Sequence, residues 1–202
     1  MRTLPHSVVV LTTCTSPAVS TTTQGSNTSG SKYRGMALSS FTTLTLTPSP
    51  IITFNIRQPS RTLDALRESK HFLIHILEAS KAGSKVAHGF AQGGGGVDGF
   101  KKSNIIEEHV ILKEMEGLVL PRLNGDGVMQ ALRCEVLRND DGECKGMIRV
   151  GDHMLVLAEV TEILGDDPMA ENSWHGLCYA DGRYRLIGDT IEVDRLDDLT
   201  VQ

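Results

Sequence analysis

Between residues 35 and 56 the chain reads GMALSSFTTLTLTPSPIITFNI, and only extended backbone suits it. Leu44 and Leu46, then Ile52, Phe54 and Ile56, fall on every second position, so apolar side chains share one face of a strand and not of a helix. Pro48-Ser49-Pro50 breaks the run, as a connection between two strands does. Eight of these twenty-two residues carry hydroxyls. The same alternation recurs in HFLIHIL, where Phe72, Ile74 and Ile76 share a face, and in ALRCEV, where Leu132, Cys134 and Val136 do. The segment GDHMLVLAEVTEIL reads as a long strand after a Gly-Asp turn. LCYADGRYRLIG reads as a closing hairpin around Asp181-Gly182, and residues 7–12 as a first strand.

Two segments keep a helical period instead. After Ser60 or Thr62 as cap, Leu63, Leu66 and the stem of Arg67 share a side. In SKAGSKVAHGFAQ, Ala82, Val86 and Phe90 recur at four-residue spacing. Six or more strands with two short helices predict a mainly β fold, a small barrel with helical decoration. Residues 12–32, rich in Ser, Thr and Gly, read as a long flexible loop too polar to hold a core. The acidic tail IEVDRLDDL reads as a solvated strand or turn.

The 202 residues suit one domain, able to bury roughly 70% of the surface its unfolded chain exposes. A net charge of −5 with scattered basic residues argues against a nucleic-acid partner. No apolar run has membrane-spanning length, and HSVVVLTT is too short for a signal core. An intracellular, cytoplasmic protein without membrane association is therefore expected. Four cysteines without C-x-x-C spacing read as free thiols.

Histidines 71 and 75 invite a metal reading, but the segment is a strand and supplies no third ligand. They read as residues of its less buried face, and no metal is expected. The run Gly93 to Gly96 lacks the Lys-Ser/Thr ending of a phosphate-binding loop and reads as a plain loop. The hydroxyl-rich stretch holds more chemistry. Ser39 and Ser40 follow Gly35, Asn55 and Arg57 end the next strand, and Ser60, Arg61 and Thr62 open a helix. Free N–H groups and a guanidinium at a helix start suit an anion. A flat heterocycle with several carbonyls suits the strand beside it. The competing reading is an exposed Thr-rich face, since Thr favours strands.

In their order and spacing, GMALSSFTTLTLTPSPIITFNIRQPSRTLDALRESKHFLIHIL, VAHGFA, GDHMLVLAEV and GLCYADGRYRLIG resemble the flavin reductase-like family, with the FMN-binding split-barrel fold. The resemblance spans about residues 7 to 190. It implies a homodimer with a six-stranded Greek-key split barrel in each protomer, and FMN or FAD near the dimer interface. It also implies hydride transfer from NADH or NADPH to the flavin and a partner monooxygenase that receives the reduced product. Carried over by position, Met36, Ala37, Leu38, Ser39 and Ser40 line the isoalloxazine edge. Asn55, Ile56 and Arg57 supply backbone contacts, Ser60, Arg61 and Thr62 hold the phosphate, and Phe90 lies near the flavin. His153 lies at the reactive face, where a nicotinamide stacks. Three positions depart from the family pattern: Ala37 stands where a hydroxyl is common, Ser49 splits a Pro-Pro pair, and Ala158 replaces a Gly. The alternative is a flavin-binding protein, or a flavin-dependent oxidase or oxygenase of a small organic substrate, without nicotinamide turnover.

Overall fold

A computed structural model describes residues 3–15, 33–91, 100, 106–111, 119–139, 141–142, 144–165 and 175–188. Most of the 12–32 loop, the Gly93–Gly96 run and the acidic tail lie outside these residues. In chain order the elements are β1 His6–Ser7, β2 Val9–Cys14, β3 Tyr33–Leu38, β4 Thr42–Thr45, β5 Ile51–Arg57, α1 Arg61–Ser69 and β6 His71–Leu77. There follow α2 Lys81–Ala91, β7 Ile106–Ile111, β8 Val119–Asn124, β9 Val128–Val136, β10 Met147–Val150, β11 His153–Leu164, β12 Cys178–Ala180 and β13 Arg183–Arg185.

The fold is mainly β. One antiparallel sheet runs β3-β2-β6-β9-β11-β5-β4, with β10 paired to β11. It thus has eight strands, of which β4 and β10 are four-residue pieces and the other six are longer. β1, β12 and β13 form a small second sheet, and β7 and β8 a ribbon.

Period-two alternation divides the core between the two sheet faces. On β2, Val9 and Leu11 join Leu63 and Leu66 of α1, together with Phe54, Ile56, Phe72, Ile74, Cys134 and Val156. Val8 and Val10 point the other way, to Val86, Ala87 and Phe90 of α2 and to Leu123 and Leu177. Ser60 is the α1 cap, its side chain accepting from the Leu63 N–H. Thr62, the other candidate cap, is buried inside the first turn.

Three sequence expectations change. Thr12 and Thr13 do not begin a loop: they are fully buried residues of β2. Their hydroxyls donate to Pro121 O at 2.6 Å and His71 O at 2.8 Å, which makes burial affordable. Leu44 and Leu46 do not belong to the core, being 56% and 72% exposed. They lie on and just beyond the edge strand β4, whose pairing with β5 shifts register between Thr43 and Thr45, so the alternation loses its inner face. His71 and His75 are buried rather than on a less buried face. β6 is covered on both sides, and the face opposite Phe72 and Ile74 meets other elements instead of water.

Among the described residues no helix is long and apolar enough to cross a membrane. Nor does any group of three or more His, Cys, Asp or Glu there form a metal-holding cluster.

Candidate functional site

Two clefts take in residues that the sequence singled out. The first, about 380 Å³, is lined by Val8, Ala37, Leu38, Ser39, His88, Ala91, Tyr179, Gly182 and Tyr184. The second, about 450 Å³, is lined by Asn55, Val150, His153 and Leu155. Both volumes lie within the range of small-molecule sites.

A single hydroxyl joins the two walls. Ser40 Oγ accepts from the Asn55 N–H at 3.0 Å and approaches Asn55 O at 3.3 Å. It thereby takes the place of a neighbouring strand where β4 has already left β5. Antiparallel residues present their backbone groups alternately to one edge and the other. Asn55 and Arg57 thus offer theirs to the open edge, and Ile56 faces its β11 partner Met154. Residues 55–57 do not act as a uniform backbone donor set. Asn55 is held by Ser40, Ile56 belongs to the ladder and buries its side chain, and Arg57 is left at the open edge.

Arg57 is fixed by its side chain. Its Nε donates to Asp152 Oδ2 at 3.0 Å, while the neighbouring Gln58 N–H donates to Asp152 O at 2.7 Å. The other carboxylate oxygen of Asp152 receives His153 Nδ1 at 2.8 Å. His153 and Arg57 together hold the Asp152 carboxyl below its ordinary range, with the hydrogen bond from His153 the larger cause. With Nδ1 donating to a carboxylate, Nε2 of a neutral His153 is an acceptor on a half-buried ring beside the second cleft.

The phosphate-type residues sit at the start of α1. Ser60 accepts as cap, so its O–H remains as a donor, and Arg61 is exposed in the first turn. Thr62 Oγ1 lies 3.5 Å from Gly35 O, bringing the helix start up against β3. Phe90 is buried under the same strand. A Cβ on Gly35 would fall 2.7 Å from its ring, so residue 35 admits only glycine without a shift. From α2 it is His88 and Ala91 that face the first cleft.

The expected residues thus divide. Ala37, Leu38 and Ser39 line the first cleft, and Asn55 and His153 the second. Ser40 links the two, Met36 and Ile56 pack on the core, and Ser60, Arg61 and Thr62 form a separate polar corner beside β3. Sequence reasoning missed His88, Tyr179 and Tyr184 in the first cleft. A signal existed: all three lie in the segments VAHGFA and GLCYADGRYRLIG, which it set aside as matching without giving them roles. The first cleft, with an apolar floor, a serine and an imidazole, suits a flat heterocycle bearing a few hydrogen-bonding groups.

Solved structures share this architecture. The NADH:FAD oxidoreductase SgcE6 of Streptomyces globisporus C-1027 superposes with a TM-score of 0.63 at 23% identity, covering 96% of this chain and 86% of its own. A homologue of nitrilotriacetate monooxygenase component B from Mycobacterium thermoresistibile gives 0.66 at 22%, covering 99% and 90%. BorF, the flavin reductase component of a bacterial two-component tryptophan halogenase, gives 0.61 at 18%, covering 94% of each chain. At these identities the likeness speaks for the fold. The flavin reductase like domain is matched over residues 1–188, nearly the whole length, and the chain therefore belongs to the flavin reductase-like family.

Proposed function

We propose that the protein is an NAD(P)H:flavin oxidoreductase, which passes a hydride from NADH or NADPH to FMN or FAD. The observation that carries this reading is the Ser40–Asn55 link, which sets the Ala37–Ser39 cleft beside the His153 cleft. Two planar ligands, one in each of these linked clefts, would meet the main demand of hydride transfer, which is proximity and alignment. A bound flavin supplies the two-electron acceptor. The chain supplies position. Ala37, Leu38 and Ser39 border the ring over the core packing of Met36 and Ile56, Ser40 ties them to Asn55 and the strand end at Arg57, Ser60, Arg61 and Thr62 bind the phosphate, and Phe90 supports β3 from beneath. His153, oriented by Asp152, places the nicotinamide and moves no proton in the transfer itself.

The finer architecture belongs to the same proposal: a single domain over 1–202 built as a six-stranded Greek-key split barrel and acting as a homodimer. Leu44 and Leu46, at β4, and Ile148 and Val150, on β10, are exposed apolar side chains on the two short strands that flank the β5–β11 pair, and exposed apolar surface of this kind supports self-association. Reduced flavin would then pass to a separate monooxygenase in the cytoplasm, a division of labour in keeping with the component proteins named above.

The test is to mix the protein with FMN or FAD and either nicotinamide and to follow nicotinamide oxidation. Flavin-dependent turnover is expected. Tight flavin binding without turnover would replace the reductase with a flavin-binding protein or oxidase. Arg61→Ala checks the phosphate corner: a charge-assisted contact worth about 1.5–3 kcal/mol is lost for FMN and not for riboflavin.

A further inference from the structure

The first cleft has a wall that no role has yet been given. β12 and β13 form a hairpin through the turn Asp181-Gly182, both residues at positive φ, 52° and 74°. The pairing sets Tyr179 directly across from Tyr184, and their rings meet edge to face, 5.5 Å between centroids at 69°. Both rings line the cleft, as do Ala37, Leu38, Ser39 and His88. The hairpin is not a loose appendage. β1 pairs with β12, Val8 N–H donates to Leu177 O at 2.8 Å, and Leu177 N–H donates to Leu77 O at 2.8 Å. A cleft lined both by a strand end and by a braced aromatic pair suits a flat ring. Burial, with Tyr179 adding to it, raises the Tyr184 phenol above its ordinary value, so the ring is neutral at physiological pH.

We propose that Tyr184, held edge to face by Tyr179, is a ring-contacting residue that binds the isoalloxazine against Ala37–Ser39, independently of the phosphate. This rests on the flavin reading above and adds to it the residue that contacts the ring. It separates affinity into two corners: Arg61 senses the phosphate, and Tyr184 senses the ring alone.

Lumiflavin, the ring without a ribityl chain or phosphate, isolates the second corner. Wild type is titrated with lumiflavin, riboflavin and FMN by flavin fluorescence, alongside Tyr184→Leu and Tyr184→Phe. Tyr184→Leu is expected to weaken all three by a similar factor, about five- to tenfold, the worth of one aromatic contact beyond area. Tyr184→Phe is expected to stay near wild type. Equal affinity for lumiflavin in wild type and Tyr184→Leu overturns the proposal. A loss in Tyr184→Leu accompanied by a lowered melting temperature would not separate contact from folding, and a measurement on wild type settles that case. Tyrosine nitration, mapped by peptide mass, should be slowed at Tyr184 by saturating lumiflavin, with Tyr33 as internal reference. Unchanged nitration of Tyr184 overturns the proposal while leaving the flavin reading standing. If wild type binds none of the three flavins, the flavin reading itself falls and this inference with it.

Discussion

His75 and His153 have the same side chain and lie on strands of the same sheet, but the structure holds them in different ways. His75 is fully buried where β2, β6 and β8 meet, and both ring nitrogens are engaged. Nε2 accepts from the Leu123 N–H at 3.0 Å, so Nδ1 carries the proton and donates to Val10 O at 3.1 Å. His153 sits at the start of β11 with one nitrogen on an exposed carboxylate and the other side of its ring at a cleft. A histidine with both nitrogens bound to backbone is a brace. One with a single nitrogen anchored and its ring at a cleft keeps the other nitrogen for a ligand. What separates them is which atoms remain to meet a ligand, and neither burial nor residue type alone tells that.

The largest effect should come from removing the brace. His75→Leu fills much of the same space but leaves the Val10 carbonyl and the Leu123 N–H without partners. Each buried orphan costs about 1–3 kcal/mol. For a chain of this length the melting temperature should fall by about 10 °C. Flavin-dependent activity per folded molecule, measured well below the transition, should be unchanged. A variant as stable as wild type would end the contrast.

Acid probes the same brace without mutation. Burial lowers the His75 pKa from 6.5 to about 4, opposed by the hydrogen bond to Val10 and aided by the nearby Arg122 charge. Between those values the unfolded chain binds a proton that the folded chain refuses. The stability this neutral group contributes is therefore complete above pH 6.5, declines as pH falls towards 4, and is fully lost below that. The decline amounts to roughly 3 kcal/mol. Denaturant melts at pH 7, 5.5 and 4 should follow this slope in wild type and lose most of it in His75→Leu. Asp152, whose carboxyl is held below its ordinary range, would contribute only at lower pH.

His153→Ala should reverse the pattern. A half-buried side chain anchored only to an exposed carboxylate contributes little, and its loss should change stability by about 0.5 kcal/mol or less. The KM for nicotinamide should rise and kcat/KM fall about tenfold, equivalent to about 1.4 kcal/mol of positioning. Flavin affinity should hardly move. Loss of flavin binding together with turnover would mean that His153 touches the flavin itself and that the two clefts form one site.

Much of this was legible in the sequence because period-two alternation reports burial directly. Ile52, Phe54 and Ile56 are in the core, and Ser60 caps α1. What was not legible depends on partners distant in sequence. Thr12 and Thr13 look like the start of a polar loop, and only Pro121 and His71, brought alongside by the sheet, make them core residues. Leu44 and Leu46 alternate as well as any buried pair, but an edge strand that slips register gives alternation no second layer to face. His75 reads as an outward residue because nothing local announces that β8 covers it. At the candidate site, Ala37, Leu38, Ser39 and His153 could be placed from short motifs. Tyr184 lies in such a motif as well, but what brings it to the first cleft is the pairing of β1 with β12, which no local pattern announces.

The finest distinction concerns how His153 is held. Asp152 accepts from His153 and from Arg57 with different oxygens, so Asp152→Asn keeps the shape but replaces one carboxylate oxygen with an amide. If the amide oxygen turns to Arg57, the NH₂ faces His153 Nδ1, which must then accept. The neutral ring would adopt the other tautomer, with its proton on Nε2, towards the cleft. Folding should be unaffected, since Asp152 and Arg57 are exposed and the His153 ring is only half-buried. Turnover should change only a few-fold, less than for His153→Ala, because stacking survives and only the hydrogen-bonding character at the cleft is inverted. The sharper readout is the imidazole nitrogen NMR spectrum, in which the protonated nitrogen of His153 should switch from Nδ1 to Nε2 while that of His75 stays on Nδ1. An unchanged His153 tautomer would show that the carboxylate does not set it, and the contrast between the two histidines would then rest on burial alone.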